Sequence, residues 1–313
     1  MFLFNFIFFI LFHSQASATS GACQIAELGF KKRFTQLEKQ YAKYSDTKVL
    51  LANQPTWSWG KNKKEVVYLL HGFIGTPEEM SVVAEKLSAE NYTVVNDIIP
   101  GYGLDGYVAN HFKASDWQNH VNANLASLQS CFKKIHLVGF STGGLLLHHY
   151  LRTHPDFAAA SITLYSPFYQ PNSSFLSLLG AAARFLTPVV YTKLLYKLTR
   201  FSDIKVAILK PDHYLQQIPL DAARAVQNFG EQVNNAIKKD SGKKLKTPTL
   251  LFIGDGDEIV DQSSTIRNVS ADFQNLRIIH FENSTVPHHL MVKEVSSVAD
   301  EVHQRSVEFI LNN

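Results

Sequence analysis

The chain has 313 residues, of which 45% are hydrophobic and 18% are charged, which is an ordinary composition for a globular protein. This length allows one large α/β domain or two small ones, and we expect a single domain that carries an insertion. The net charge of +3 is too small to indicate a nucleic-acid partner, and no basic stripe interleaved with aromatic residues is visible, so we expect no nucleic-acid binding.

The N-terminus has the features of a secretory signal. Residues 2–12 are almost wholly apolar and are followed by Ala16, Ser17 and Ala18, the small-x-small form after which signal peptidases cut. No lysine or arginine precedes the apolar run, which departs from the usual pattern. The run is too short to span a bilayer, which needs ~20 apolar residues. We therefore expect residues 1–18 to be a signal peptide, and residues 19–313 to be exported to the periplasm or secreted.

The chain contains two cysteines, Cys23 and Cys131. An exported protein meets oxidising conditions, under which they could form a disulfide. The sequence leaves open whether their Cα atoms come close enough to pair.

Apolar runs alternate with segments of helical periodicity along most of the chain. The predicted strands are residues 66–70, 92–99, 135–138, 161–165, 249–253 and 276–281. The predicted helices are residues 24–44, 77–89, 115–129, 145–153 and 293–310. Continuous apolar runs are typical of strands buried on both faces of a parallel sheet. The alternation predicts an α/β fold with a mostly parallel, doubly wound sheet.

The alternation stops for residues 168–246, which we interpret as an insertion. No strand of comparable quality occurs there, and helices are predicted at residues 174–185, 189–199 and 222–238. We expect a helical cap between the sixth and seventh strands. Because Arg184, Lys193 and Lys197 interrupt its apolar first half, it is not expected to span a membrane. Its apolar side is expected to roof a pocket or to pack on its own domain, with contact to a lipid surface as a less favoured alternative.

Ser141 lies in a Gly-x-Ser-x-Gly pattern between a predicted strand and a predicted helix. The pattern is formed by Gly139, Ser141 and Gly143. A nucleophilic serine on a strained strand-to-helix turn needs glycine on both sides, where a Cβ would collide with the strand or the helix. By itself the pattern also fits a tight turn with an idle serine, so other residues must decide between the two interpretations.

A serine hydroxyl needs a base to take its proton, and a histidine held by a carboxylate is the usual supplier. Asp257 follows the predicted strand 249–253, and His289 follows the predicted strand 276–281. Open α/β sheets place their sites at the carboxyl ends of strands, so Ser141, Asp257 and His289 can meet there. Their order in the chain, Ser, Asp, His, is that of α/β-hydrolases.

With these motifs the chain resembles the carboxylesterase and monoacylglycerol-lipase branch of the α/β-hydrolase family, which is serine aminopeptidase S33-like. The motifs are residues 69–75, residues 139–144, Gly254-x-x-Asp257-x-x-Val260, and a histidine before Leu290 and Met291. Together they cover about residues 65–311, except for the cap, which differs widely within the family. The resemblance implies an α/β-hydrolase fold.

The resemblance also implies the roles of individual residues. Ser141 would be the nucleophile, His289 the general base and then the general acid, and Asp257 the carboxylate that orients it. The backbone N–H groups of Phe73 and Thr142 would form the oxyanion hole. The family pattern favours Asp257 over its neighbour Asp255, and it favours His289 over its neighbour His288, although both rivals stay open.

The function implied is that of a serine hydrolase that cleaves carboxylic esters through an acyl-enzyme, with a small acyl ester or a lipid such as a monoacylglycerol or lysophospholipid as substrate. No cofactor is expected, and dinucleotide binding in particular is not expected because Gly-x-Gly-x-x-Gly is absent after the first strand. No metal is expected, because His148 and His149 lack the spacing of zinc hydrolases. The alternatives are a non-catalytic α/β-hydrolase fold that binds lipids or protein partners, and an amide-cleaving hydrolase on the same scaffold.

Overall fold

A seven-stranded sheet runs through the computed structural model of the protein, which describes residues 21–173, 175, 187–240 and 242–313. The predicted signal peptide, residues 1–18, lies outside the described residues, as does the predicted cap helix 174–185 except for residue 175. The strands in chain order are β1 (Thr56–Ser58), β2 (Glu65–Leu70), β3 (Thr93–Asp97), β4 (Lys134–Phe140), β5 (Ser161–Tyr165), β6 (Val189–Tyr191), β7 (Gln217–Pro219), β8 (Thr249–Gly254) and β9 (Leu276–Phe281).

The strand order in the main sheet is β1-β3-β2-β4-β5-β8-β9. Only β1 runs antiparallel to its neighbour, and the other strand pairs of this sheet are parallel. Every residue of β3, β5 and β8 is buried, as expected for strands that are covered by helices on both faces. This confirms the predicted mostly parallel, doubly wound α/β sheet.

The helices pack on both faces of this sheet or form the insertion. They are Gly21–Tyr41, Ser81–Ala89, Gly106–Ala109, Ala114–Gln129, Thr142–Thr153, Thr192–Thr199, Ser202–Leu209, Leu220–Lys239, Gln262–Asp272 and Ala299–Leu311, with 3-10 turns at Leu51–Asn53 and Pro77–Met80. The segment predicted as one helix at 77–89 begins with a 3-10 turn. The last helix begins at Ala299, six residues later than predicted.

The insertion differs from its prediction in two ways. It lies between β5 and β8, which are the fifth and sixth strands of the main sheet, not between the sixth and the seventh. It also contains the antiparallel pair β6 and β7, although only helices were predicted there. Each of these strands is three residues long, which is too short to show an alternating pattern in the sequence. Within the described ranges, no helix is long and apolar enough to cross a membrane.

The N-terminal helix Gly21–Tyr41 is fastened to the domain at both ends. Cys23 and Cys131 form a disulfide with their Cα atoms 4.7 Å apart, which answers the pairing question that the sequence left open. At the other end, the Tyr41 hydroxyl donates to the carbonyl of Tyr102 at 3.0 Å and accepts from the N–H of Gly101 at 2.8 Å. The disulfide thus joins the start of the helix to the segment before β4, and the Tyr41 bonds join its end to the loop that follows β3.

Candidate active site

Ser141 occupies a sharp turn between β4 and the helix Thr142–Thr153. Its backbone has φ 50° and ψ −115°, a conformation that non-glycine residues rarely adopt and that surrounding structure must enforce. The Ser141 N–H donates to the carbonyl of Tyr165 in β5 at 2.8 Å, and the Ser141 carbonyl accepts from Leu145 N at 3.0 Å. These bonds fix the turn between the sheet and the helix, with Ser141 in the wall of a pocket.

The glycines beside Ser141 stand where side chains do not fit. A Cβ on Gly139 would lie 2.6 Å from the Cα of Gly144, and a Cβ on Gly143 would lie 2.4 Å from the carbonyl oxygens of Leu70 and His71. Real Cβ atoms do not come this close to backbone atoms. The collision predicted for both positions of the Gly-x-Ser-x-Gly pattern is therefore confirmed.

Asp257 lies in the loop after β8 and is buried. Its Oδ1 accepts from the N–H groups of Ile259 at 2.9 Å and Val260 at 2.7 Å, while its Oδ2 lies 2.7 Å from Nδ1 of His288 and contacts the side-chain amide of Gln262. The rival Asp255 instead pairs with an exposed histidine of β9 at 2.6 Å. The structure thus brings Asp257, and not Asp255, to a buried histidine.

The histidine beside Asp257 is His288, and not His289 as the family pattern predicted. This is a correction to the expected geometry: the loop after β9 directs these adjacent side chains to different carboxylates. His288 Nδ1 faces Asp257, which leaves its Nε2 available for a reacting group. His289 has Nδ1 3.2 Å from Asp203 Oδ1 and Nε2 3.6 Å from Glu79 Oε1. Both ring nitrogens of His289 therefore face carboxylates.

The charges around His288 favour its protonated form. Burial lowers the pKa of His288. The carboxylate of Asp257, followed by those of Asp203 and Glu79, raises this pKa by more than burial lowers it, so the net pKa lies above the ordinary value. An imidazole that gains a proton at this place is stabilised by the adjacent Asp257. This is the electrostatic environment that a general base requires.

The two predicted oxyanion donors face no acceptor within the part of the chain that the structure describes: neither Phe73 N nor Thr142 N donates a hydrogen bond to another described residue. Thr142 is the first residue of its helix, where free N–H groups and the helix dipole favour negative charge. The loop that carries Phe73 lies directly beside the nucleophile turn, because a Cβ on Gly72 would come 3.2 Å from Cβ of Ser141. Both donors therefore belong to backbone next to Ser141.

The loop of Phe73 is fixed by its neighbours. His71 has Nδ1 2.8 Å from the Gly72 carbonyl, and its Nε2 accepts from the N–H of Ile99 at 3.0 Å. Burial lowers the pKa of His71 to about 4, so this imidazole is neutral and holds the loop by hydrogen bonds. Glu79 Oε2 accepts from the N–H of Gly72 at 2.7 Å.

The pocket at Ser141 is mostly apolar. Its wall includes His288 and His289, and the cap contributes Asp203. The apolar part of the wall comes from the catalytic loops and from the cap, and includes Phe73, Phe140, Phe168, Ile204, Ile218 and Val226. An apolar wall with a few convergent polar groups is typical of small-molecule sites. The arrangement can bind an apolar chain with its reacting carbonyl at Ser141.

Three polar residues of the site were not found from the sequence. Gln262 contacts Asp257, Glu79 holds the Phe73 loop, and Asp203 reaches His289 from the cap. Gln262 follows Asp257 by five residues at the start of a helix, and a local search around the acid could have found it. Asp203 had no such signal, because it meets His289 across 86 residues of sequence.

Comparison with known proteins places these features in one family. The family model described as serine aminopeptidase, S33, matches residues 61–282. A thermostable monoacylglycerol lipase from Bacillus sp. (strain H-257) is 31% identical over 98 residues, which cover 31% of this chain and 39% of the lipase. The match thus spans less than half of that relative's length.

Solved structures of low sequence identity share the fold. One of the metagenome-derived lipolytic enzymes LipS and LipT superposes with a TM-score of 0.66 at 19% identity, over 85% of this chain and 100% of that chain. A monoacylglycerol lipase from Paleococcus ferrophilus gives a TM-score of 0.62 at 21% identity, over 82% of this chain and 98% of that one. Est1E from Butyrivibrio proteoclasticus with bound ferulic acid gives a TM-score of 0.56 at 16% identity, over 83% of this chain and 94% of that one.

Proposed function

Because the chain belongs to the serine aminopeptidase S33 family of α/β hydrolases, we propose that it is a serine hydrolase that cleaves carboxylic esters through an acyl-enzyme. The observation that carries the proposal is the pairing of Asp257 with His288 at 2.7 Å in the pocket wall that also contains Ser141. In this proposal His288 takes the role of base that the family pattern predicted for His289. The lipases and esterases among the similar proteins support ester cleavage.

The mechanism follows from the available atoms. Ser141 Oγ attacks the ester carbonyl carbon and gives its proton to Nε2 of His288, while Asp257 stabilises the imidazolium through Nδ1. The N–H groups of Phe73 and Thr142 bind the oxyanion of the tetrahedral intermediate. His288 then protonates the leaving alcohol as its C–O bond breaks. A water molecule attacks the acyl-enzyme with His288 as base, and Ser141 recovers its proton as the carboxylic acid leaves.

Replacement of the nucleophile tests the proposal. Ser141→Ala should abolish the hydrolysis of p-nitrophenyl butyrate while circular dichroism and thermal unfolding stay like those of the wild type. A fluorophosphonate probe should label the wild type and not this variant. Wild-type turnover in Ser141→Ala would reject the assignment.

The two adjacent histidines provide an internal comparison. His288→Ala should lower kcat by at least about a thousandfold, since loss of one member of a catalytic triad removes most of its effect. His289→Ala should retain measurable turnover, because both of its ring nitrogens face carboxylates. The opposite ranking of the two variants would restore His289 as the base.

The apolar pocket supports an acyl ester with a hydrocarbon chain, such as a monoacylglycerol or a lysophospholipid. The pocket residues from the cap, Ile204, Ile218 and Val226, would contact that chain. A profile of kcat/KM against p-nitrophenyl esters of increasing acyl length should show a maximum, because each buried CH₂ contributes about 0.8 kcal/mol until the pocket is full. No dependence on acyl length would oppose an acyl pocket.

The two alternatives remain distinguishable by experiment. An amide-cleaving enzyme of the aminopeptidase type needs an acidic group for the substrate's amine, and the acidic residue in the pocket wall, Asp203, faces His289 instead. Ester cleavage is favoured for this reason, and matched ester and amide substrates test it. A non-catalytic lipid-binding or interaction protein would not react with the fluorophosphonate probe.

Export is the proposed localisation. The disulfide between Cys23 and Cys131 supports it, because disulfides persist in oxidising compartments and are rare in the cytosol. A signal peptide at residues 1–18, cut after Ala18, would deliver the chain there. N-terminal sequencing of the protein from its natural source tests the cut, and a mature protein that keeps residues 1–18 would oppose it.

Peripheral contact with a membrane is proposed through the cap helix Thr192–Thr199. Leu194 is 54% exposed and Leu198 is 72% exposed, and the exposed Lys193 and Lys197 flank them. Leucines that insert between acyl chains and lysines that meet anionic headgroups form an interfacial helix. Such contact would bring a lipid substrate close to the pocket.

A further inference from the structure

A second buried array of acid, histidine and acid lies beside the catalytic one. Asp203 comes from the cap helix Ser202–Leu209, His289 from the loop after β9, and Glu79 from the 3-10 turn Pro77–Met80. All three are buried, with Asp203 2% exposed, His289 5% and Glu79 7%. Burying two carboxylates is costly unless they are paired, so the array needs an explanation.

Asp203 reaches two of the loops that carry catalytic groups. Its Oδ1 accepts from the N–H of His289 at 3.1 Å and lies 3.2 Å from His289 Nδ1. Its Oδ2 accepts from the N–H of Glu258 at 3.3 Å. His289 is adjacent to His288, and Glu258 is adjacent to Asp257. One carboxylate from the cap therefore holds both the acid loop and the base loop.

Glu79 extends the array to the third loop. Its Oε1 lies 3.6 Å from Nε2 of His289, which is ion-pair distance, and within the described ranges neither atom makes a hydrogen bond. Its Oε2 accepts from the N–H of Gly72 at 2.7 Å. Gly72 precedes Phe73, whose N–H is the predicted oxyanion donor. The array thus contacts three catalytic loops. In each loop the contacted residue is the sequence neighbour of a proposed catalytic group, namely Asp257, His288 or the N–H of Phe73.

The charges suit a clamp on His289. Burial raises the pKa of Asp203. The hydrogen bond and charge of His289 lower this pKa by more than burial raises it, so the net pKa lies below the ordinary value and the carboxylate is ionised. Burial raises the pKa of Glu79, and His289 offsets only part of this effect. The Glu79 carboxyl and the His289 ring therefore face each other across 3.6 Å inside the protein.

We propose that Asp203 of the cap and Glu79 are positioning residues that, together with His289, align the acid loop, the base loop and the oxyanion loop for reaction. This inference rests on the proposed function. A misplacement of about 1 Å in catalytic groups can cost about a hundredfold in rate, so loss of the array should lower kcat. A side chain that only lines the pocket would affect KM and acyl-length preference instead.

The test uses the full-length protein with a short ester, p-nitrophenyl acetate, whose acyl group does not need the pocket. Asp203→Ala and Glu79→Ala should each lower kcat by at least about tenfold and leave KM within about threefold. Asp203→Asn and Glu79→Gln keep an oxygen that accepts from the same N–H groups, and they should recover part of the loss. The matched controls are Asp221→Ala on the exposed start of the helix Leu220–Lys239, and Glu85→Ala on the helix Ser81–Ala89, which should behave like the wild type.

The rate of Ser141 labelling by a fluorophosphonate gives a second measurement and should fall in parallel with kcat. If the alanine variants do not fold, the asparagine and glutamine variants decide: a kcat between about a half and a fiftieth of the wild-type value supports the proposal. Folded Asp203 and Glu79 variants with wild-type kcat and labelling rate would overturn it. An unlabelled wild type, or turnover that persists in Ser141→Ala, would instead reject the proposed function, and the alignment role with it.

Discussion

Removal of the disulfide between Cys23 and Cys131 should destabilise the whole domain. The two cysteines are separated by 108 residues in sequence. For a loop of this length the chain-entropy model gives ~4.8 kcal/mol of stabilisation at 25 °C, and removal of native disulfides commonly costs about 2–5 kcal/mol. We expect the double variant Cys23→Ala, Cys131→Ala to lose about 3–5 kcal/mol in its free energy of unfolding.

This expectation depends on the N-terminal helix staying docked after the disulfide is gone. Other contacts hold it: Arg33 Nε donates to Asn124 Oδ1 at 2.5 Å, and Tyr41 bonds Gly101 and Tyr102. The disulfide would then act mainly on the entropy of the unfolded chain. The loss of stability in the double variant should therefore appear in the single unfolding transition of the whole domain.

Equilibrium unfolding in urea, followed by circular dichroism, measures the effect. The wild type in dithiothreitol should unfold at the same urea concentration as the double variant in the absence of reductant. Turnover of p-nitrophenyl butyrate well below the melting temperature should be unchanged, because neither cysteine lines the pocket. A difference of less than about 1 kcal/mol between the oxidised wild type and the double variant would refute the loop-entropy reasoning. A separate early transition would show that the helix detaches first.

Three further outcomes are expected. Gly143→Ala should destabilise the fold by more than about 3 kcal/mol in urea titrations and abolish turnover, because its Cβ would lie 2.4 Å from carbonyl oxygens at the end of β2; a stable, active variant would contradict the packing argument. The pH profile of kcat/KM should rise with pH through a midpoint above 6.5, the ordinary pKa of histidine, because Asp257 raises the pKa of His288 more than burial lowers it. The midpoint should fall in Asp257→Asn, and the stability that His288 contributes should be present below its unfolded-state pKa and lost as the pH rises through its folded-state pKa. Replacing Leu194 and Leu198 by aspartate should reduce flotation with anionic liposomes while the turnover of soluble esters stays constant, and unchanged flotation would exclude this helix as the contact.

The sheet and the serine turn were predictable because their signals are local. A continuous apolar run such as residues 66–70 is typical of a buried strand, and the strand β2 includes these residues. The turn at Ser141 was predictable from Gly139 and Gly143, since its geometry excludes side chains at both positions. Such features depend on neighbours within a few residues, which a single sequence contains.

The choice between His288 and His289 was not predictable for the opposite reason. Both residues follow β9, both are buried, and each faces a carboxylate, so composition and spacing treat them alike. Which ring faces Asp257 depends on how the loop after β9 turns. The partner of the other ring, Asp203, comes from the cap, whose short strands and scattered charges carry no family pattern. Long-range pairs of this kind are specified by the fold as a whole.

The N-terminal helix also sets an order for folding. Its partners include Gly101, Tyr102, Asn124 and Cys131, which lie 60 to 108 residues after the residues that they contact. During synthesis this helix emerges before these partners, and its contacts are complete only when the chain has emerged through Cys131. Contacts of such wide sequence separation form slowly, because the intervening chain must be closed first. This helix is thus expected to dock late, and until then Leu37 and Tyr41, which are buried in the folded protein, stay exposed together with Ile25 and Leu28.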